Sequence, residues 1–71
     1  MRLYYVQNDF RVLAFAGRSI RDSYVSLYSD ESNSIRRITR AEAERLSPTF
    51  TYMRDHSHVM DAKVRFSKID A

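Results

Sequence analysis

The chain has 71 residues with one glycine, one proline and no cysteine, which is enough for one small domain spanning residues 1–71. The lack of cysteine excludes disulfide-stabilised scaffolds and thiolate-bound zinc sites. Twelve basic and nine acidic residues give a formal net charge of +3, and ten of the twelve are arginines. An arginine bias is typical either of a GC-rich genome or of a surface that recognises carboxylates and phosphates.

The beginning of the chain lacks an apolar run of the length that a secretory signal needs. Elsewhere the sequence does not approach the roughly 20 consecutive apolar residues that cross a membrane. We therefore expect a cytoplasmic protein that makes no contact with a membrane.

Two runs of aromatic and β-branched residues open the chain, at residues 3–7 and 10–16. The polar pair Asn8-Asp9 separates them, which predicts a β-hairpin. The second run is apolar on both of its alternating faces, so we predict that it is the central strand of a sheet.

A third run of strand-forming residues follows Gly17, at residues 23–29. Residues 30–34 are all polar and predict a surface turn. Short loops between three such runs favour three antiparallel strands in chain order.

The most specific local signal in the sequence is a helix start at Thr39. Threonine followed three residues later by Glu42 forms a capping box, in which each side chain satisfies a free backbone N–H. The predicted helix runs from Arg40 to about Leu46, because the residue before Pro48 is pushed out of the helical conformation.

The sequence predicts the secondary structure of the last third of the chain less completely. Residues 50–53 fit either a short strand or a loop, whereas the alternation at residues 59–69 predicts a strand with one exposed face. Together the elements predict an α+β fold: a small antiparallel sheet of three to four strands in β-β-β-α-β order, with one short helix packed on one face. We expect the first and last strands to be the sheet edges, through which a homodimer could form.

His56 and His58 lie within a stretch that also holds Asp55 and Asp61. An extended backbone would place both imidazoles on one side, which suits a metal site. A functional metal site also needs further ligands and supporting hydrogen bonds, so we favour a solvated loop and predict neither metal nor cofactor.

Catalytic signals are weak throughout the sequence. The serines lack the glycine-flanked turn of a hydrolase nucleophile, and Glu42 and Glu44 diverge on their helix. A single glycine does not supply a phosphate-binding loop. We therefore predict a protein that is not an enzyme.

Arginines interleaved with tyrosines are the strongest functional signal, although exposed strand faces with half-buried tyrosines explain the same pattern. We predict a small interaction protein that binds and regulates or inhibits a cellular macromolecular complex, its partner being a host protein or a protein–nucleic acid complex. Such arginine-rich domains are typical of phage and mobile-element accessory proteins. The alternative is a nucleic-acid-binding module that uses an Arg/Tyr-rich sheet face. The predicted partner-binding residues are Tyr4, Arg18, Arg21, Tyr24, Tyr28, Arg36, Arg37 and Arg40.

Overall fold

The computed structural model describes residues 2–53 and 62–69, which form five strands and three helices. The strands are β1 (Tyr4–Asn8), β2 (Arg11–Phe15), β3 (Ile35–Ile38), β4 (Thr49–Met53) and β5 (Ala62–Arg65). The helices are α1 (Arg18–Tyr28), α2 (Arg40–Leu46) and α3 (Phe66–Ile69). Within this described part, each helix is too short or too polar to cross a membrane.

All five strands belong to one sheet in the order β3-β1-β2-β4-β5, with β2 in the middle as predicted. β1 pairs antiparallel with both β2 and β3, and β4 pairs antiparallel with β5. β2 and β4 are parallel. The fold is therefore α+β, but the prediction of three to four strands, all antiparallel, is wrong. The chain crosses from β2 to β4 through two helices and β3, which makes a parallel pair sterically feasible.

The predicted strand at residues 23–29 is wrong, because most of this segment forms the second half of α1. Ile20, Tyr24 and Tyr28 are four residues apart, which places them on one side of a helix. The Tyr24 ring is buried and lies 5.2 Å from the Phe15 ring, between centroids. Packing of this helical stripe on the sheet outweighs the strand propensity of tyrosine and valine.

The predicted helix is confirmed as α2, with the bounds Arg40–Leu46. The Thr39 hydroxyl accepts a hydrogen bond from the backbone N–H of Glu42 at 3.2 Å, and the Glu42 carboxylate accepts one from the Thr39 N–H at 3.4 Å. This is the capping box that the sequence predicts, and Ser47 follows as the C-cap.

The sheet buries side chains on both faces, whereas a single covering helix was predicted. We call these faces the α1 face and the α2 face after the helices that share their clusters. The α1-face cluster contains Val6, Leu13, Phe15, Tyr24, Ile35 and Met53. The α2-face cluster contains Tyr5, Val12, Ala14, Ile38, Ala43, Phe50 and Phe66. The predicted alternation of β2 is confirmed, because its neighbouring residues belong to opposite clusters.

The edges of the described sheet are β3 and β5. The prediction that the first strand is an edge is therefore wrong, since β1 lies between β3 and β2. The predicted strand at residues 59–69 is confirmed at residues 62–65, which form β5, and is wrong from Phe66 onward, where α3 begins. Residues 59–61 lie outside the described residues.

The strands define two ends of the sheet. At one end Tyr4 pairs with Phe15, and at the other Asn8 pairs with Arg11 across the hairpin. Helix α1 runs in the same direction as β1: Arg18 lies over the Tyr4 ring, while the Asn8 side-chain amide donates a 2.9 Å hydrogen bond to the Tyr24 hydroxyl. The start of α1 therefore lies at the start of β1, and its end lies near the hairpin.

Candidate anion-binding pocket

A hollow lies where β1 begins, and we call it the arginine pocket. Its volume is about 1130 Å³. Its walls come from the start of β1, the starts of α1 and α2, the end of β3, and strands β4 and β5. Every charged side chain in this lining is an arginine. The lining residues are Arg2, Leu3, Tyr4, Tyr5, Arg18, Arg21, Ile38, Thr39, Arg40, Phe50, Tyr52 and Val64.

Three guanidinium groups surround the ring of Tyr4. Their central carbons lie 5.7 Å (Arg2), 5.8 Å (Arg18) and 5.4 Å (Arg21) from the ring centroid. Each such contact is worth about 0.5–1 kcal/mol at an exposed site, because the ring face attracts the cation. The four residues form the Tyr4 cluster, in which one aromatic ring holds three like charges close together.

Local structure explains how the Tyr4 cluster assembles. Arg2 and Tyr4 are two residues apart in extended backbone, so their side chains point to the same face. Arg18 and Arg21 are three apart in α1, which makes them neighbours on the helix surface. Arg18 is the first residue of α1, where the helix dipole disfavours a cation by about 0.3–1 kcal/mol. The position of Arg18 therefore does not serve the stability of α1.

The charge of Arg21 is partly balanced by Asp22, whose Oδ1 accepts a 3.0 Å hydrogen bond from the Arg21 Nε. The same oxygen accepts a 3.0 Å hydrogen bond from the Nε of Arg37 on β3. Partial desolvation raises the pKa of the Asp22 carboxyl, but the hydrogen bonds and charges of the two arginines outweigh it and hold the pKa below its ordinary value. One carboxylate thus accepts hydrogen bonds from two guanidinium groups.

Arg40 contributes a cation from the start of α2. Its guanidinium carbon lies 6.0 Å from the Phe66 ring centroid, and its Nε donates a 2.8 Å hydrogen bond to Glu44. The walls near α2 are largely apolar and include Ile38, Phe50 and Val64. The pocket therefore combines a cationic part around Tyr4 with an apolar part on the α2 face.

The structure brings together four of the eight predicted partner-binding residues: Tyr4, Arg18, Arg21 and Arg40 all line the arginine pocket. The other four do not line the pocket, although Arg37 shares the Asp22 carboxylate with Arg21. Arg37 points toward α1 and bonds Asp22, whereas its neighbour Arg36 points toward α2 and bonds Glu42 at 3.2 Å.

The two remaining tyrosines lie away from the pocket. Tyr24 is 2% exposed and belongs to the α1-face cluster. Tyr28 is partly exposed at the end of α1, with its ring 4.9 Å from that of Tyr24. The tyrosine groups that were expected on an open sheet face are thus divided between the core and the hairpin end.

Sequence reasoning missed Arg2 as a member of the site. The signal was present, since alternation in an extended segment places Arg2 beside Tyr4. The apolar lining was also missed, because it is assembled from β3, β4 and β5, which are distant in sequence. The predicted histidine site at residues 54–61 lies outside the described residues, and residues 2–53 with 62–69 contain no group of three potential metal ligands.

The chain matches no protein-family model, and no curated protein or solved structure is significantly similar to it.

Proposed function

We propose that the protein is a non-enzymatic interaction protein that holds an anionic segment of a partner protein in the arginine pocket. By covering that segment it regulates or inhibits the complex to which the partner belongs. The observation that carries the proposal is the convergence of three guanidinium groups on Tyr4 in a hollow whose charged lining side chains are all arginines.

Electrostatics favours an anion at this place. Like charges held close together repel, and a bound carboxylate or phosphate relieves that repulsion while it forms charge-assisted hydrogen bonds. Arginine is suited to this role because its planar fork contacts both oxygens of such a group at once.

The shape of the site favours a protein over a nucleic acid. Two of the tyrosines proposed to stack on bases are buried or at the far end of α1, and Arg36 and Arg37 each bond a carboxylate. A phosphate backbone is tracked by a continuous line of cations, whereas an interface anchor fills a recess that is partly apolar. The arginine pocket has the second character.

The proposal is tested by affinity capture from a nuclease-treated extract, with three forms of the protein as bait. The first is the unchanged chain, the second Arg2→Ala/Arg18→Ala, and the third Arg11→Ala/Arg45→Ala. The third removes the same charge from two exposed arginines outside the pocket lining.

We expect the first and third baits to retain the same partner and the second to lose it. Retention by all three, or equal loss by both double variants, contradicts the proposal. The capture is repeated from an untreated extract. Capture that occurs only from the untreated extract and falls steeply with salt assigns the site to nucleic acid instead.

A further inference from the structure

Two cations of the Tyr4 cluster, Arg2 and Arg18, are exposed, with their guanidinium carbons 5.7 and 5.8 Å from the Tyr4 ring centroid. Neither belongs to an ion pair of the described chain, whereas Arg21 shares the Asp22 carboxylate with Arg37. Arg40, across the pocket, is paired with Glu44. Arg2 and Arg18 contribute two unpaired charges, and Asp22 offsets only one of the charges of Arg21 and Arg37, so the described charges leave an excess of at least two at the pocket.

An excess of two charges matches a dianion better than a single carboxylate. A phosphate monoester carries about −1.5 to −2 at neutral pH and presents three strong acceptor oxygens. Guanidinium groups bind such oxygens through paired N–H donors, and three of them surround Tyr4. One carboxylate carries a single charge and would leave a second cation unbalanced.

The apolar part of the pocket constrains what the anion is attached to. Tyr52 of β4 supplies partly exposed aromatic surface, and Leu3 and Val64 supply partly exposed aliphatic surface. Tyr5, Phe50 and Ile38 also line the pocket but are buried. Offset or edge-on contacts between rings stabilise a complex beyond the burial of their area. A ligand that joins a phosphate to an aromatic group uses both parts of the pocket.

We propose that the arginine pocket binds a phosphate monoester dianion carried on an aromatic group. The inference rests on the proposed function in one respect, that this pocket is the contact site. A phosphorylated tyrosine of the partner and a nucleoside monophosphate both present this chemistry, with the phosphate at Arg2, Arg18 and Arg21 and the ring against the apolar wall.

The test is calorimetric titration of the full chain at low ionic strength and pH 7.5 with three small probes. Phenyl phosphate has the ring and the dianion, phenyl sulfate has the same ring with one charge, and inorganic phosphate has the charge without a ring. We expect phenyl phosphate to bind about tenfold more tightly than either control. Equal affinity of phenyl sulfate, or of inorganic phosphate, overturns the proposal.

The same titration is repeated with two double variants of equal charge. Arg2→Ala/Arg18→Ala is expected to weaken phenyl phosphate binding about tenfold or more, whereas Arg11→Ala/Arg45→Ala stays within about twofold of the unchanged chain. Circular dichroism checks that both variants are folded. Equal weakening by both variants indicates attraction by net charge alone and contradicts the proposed site.

Two further experiments determine the charge of the bound phosphate and the group that carries it. Because the second phosphate pKa is about 6, affinity should fall as the pH is lowered from 7.5 to 5, and a flat profile contradicts a dianion. A phosphotyrosine peptide and adenosine 5′-monophosphate then compete with phenyl phosphate. The tighter competitor identifies the carrier, and failure of both contradicts the proposal.

These results separate the inference from the proposed function. If the captured partner depends on Arg2 and Arg18 but none of the phosphate probes binds, the ligand chemistry is wrong and the function stands. If partner capture is indifferent to both arginines, the proposed function is wrong whatever the probes do.

Discussion

The two ends of the sheet carry charges of opposite sign, and these charges have different roles in the structure. Around Tyr4, the arginines of the segment before β1 and of α1 crowd one ring. At the hairpin end the turn and the loop after α1 carry three acidic residues, namely Asp9, Asp30 and Glu31. The hairpin turn also exposes Phe10, which is 83% accessible.

At the hairpin end, an acidic side chain stabilises the backbone of its own loop. The Asp30 carboxylate accepts hydrogen bonds from the backbone N–H groups of Ser32 and Asn33 at 2.9 and 2.8 Å, so it closes the loop in which it lies. The Ser32 hydroxyl donates a further 2.9 Å hydrogen bond to the same carboxylate. This bond and the two backbone bonds lower the pKa of Asp30. Arg2 and Arg18 have no such role in the fold. The comparison teaches that charge at the hairpin end stabilises a loop, whereas Arg2 and Arg18 at the Tyr4 end make no ion pair among the described residues.

The largest difference that we expect between the two ends is in the unfolding free energy that is lost when a phenylalanine is replaced by alanine. Phe15 ends β2 at the Tyr4 end and is fully buried against Tyr24, so Phe15→Ala should cost about 3–5 kcal/mol of unfolding free energy. Phe10→Ala at the hairpin tip should change it by less than about 0.5 kcal/mol. Urea denaturation measures both, and similar losses would mean that the Phe10 ring is buried in solution.

The ring of Tyr4 should matter for binding more than for folding. Tyr4→Leu removes the π face that holds three guanidinium groups, so phenyl phosphate binding should weaken about tenfold. Tyr4→Phe keeps the face and is the matched control, expected to bind within about twofold of the unchanged chain. A loss as large with phenylalanine as with leucine would assign the effect to the hydroxyl and not to the ring.

The capping box fixes the start of α2 beside the pocket. Thr39→Ala removes an acceptor for the Glu42 N–H and should lower the unfolding free energy by about 1 kcal/mol. Thr39→Ser retains the hydroxyl and should cost much less, since serine caps at least as well as threonine. Equal losses in urea denaturation for alanine and serine would contradict a capping role.

The smallest effect is the pH dependence contributed by Asp22. Its pKa is lower in the folded protein than in the unfolded chain, so its stabilisation is complete above the ordinary carboxyl pKa of about 4 and is lost as the pH falls through the lower folded value. The melting temperature of the unchanged chain should exceed that of Asp22→Asn at pH 7, and the difference should vanish near pH 2. A difference that persists at pH 2 would show that the ion pairs with Arg21 and Arg37 are not its origin.

Local signals in the sequence predicted part of the fold. The hairpin, the double-faced β2 and the Thr39 capping box depend on neighbouring residues, and the structure contains all three. Helix α1 was missed because its tyrosines and valine favour strands, while the spacing of Ile20, Tyr24 and Tyr28 favours a helix and is satisfied only by packing on Phe15.

Four of the eight predicted partner-binding residues line the candidate site. Tyr4 and the arginines at positions 18, 21 and 40 were identified by residue type, which is visible in the sequence. Arg36 and Arg37 look like a pair in the sequence but point to opposite faces of β3, toward Glu42 and Asp22. The apolar wall depends on the parallel pairing of β4 with β2, and this long-range contact has no local signal.

The most direct test of the pocket is a heteronuclear NMR titration with phenyl phosphate that follows the backbone amides and the arginine Nε–H groups. We expect the chemical-shift changes to concentrate at residues 2–5, 18–21 and 38–40, with the largest changes at the Nε–H signals of Arg2 and Arg18. The signals of residues 9–11 and 27–33 should not shift. Equal shifts at both ends of the sheet, or movement confined to the hairpin end, would contradict the proposed site.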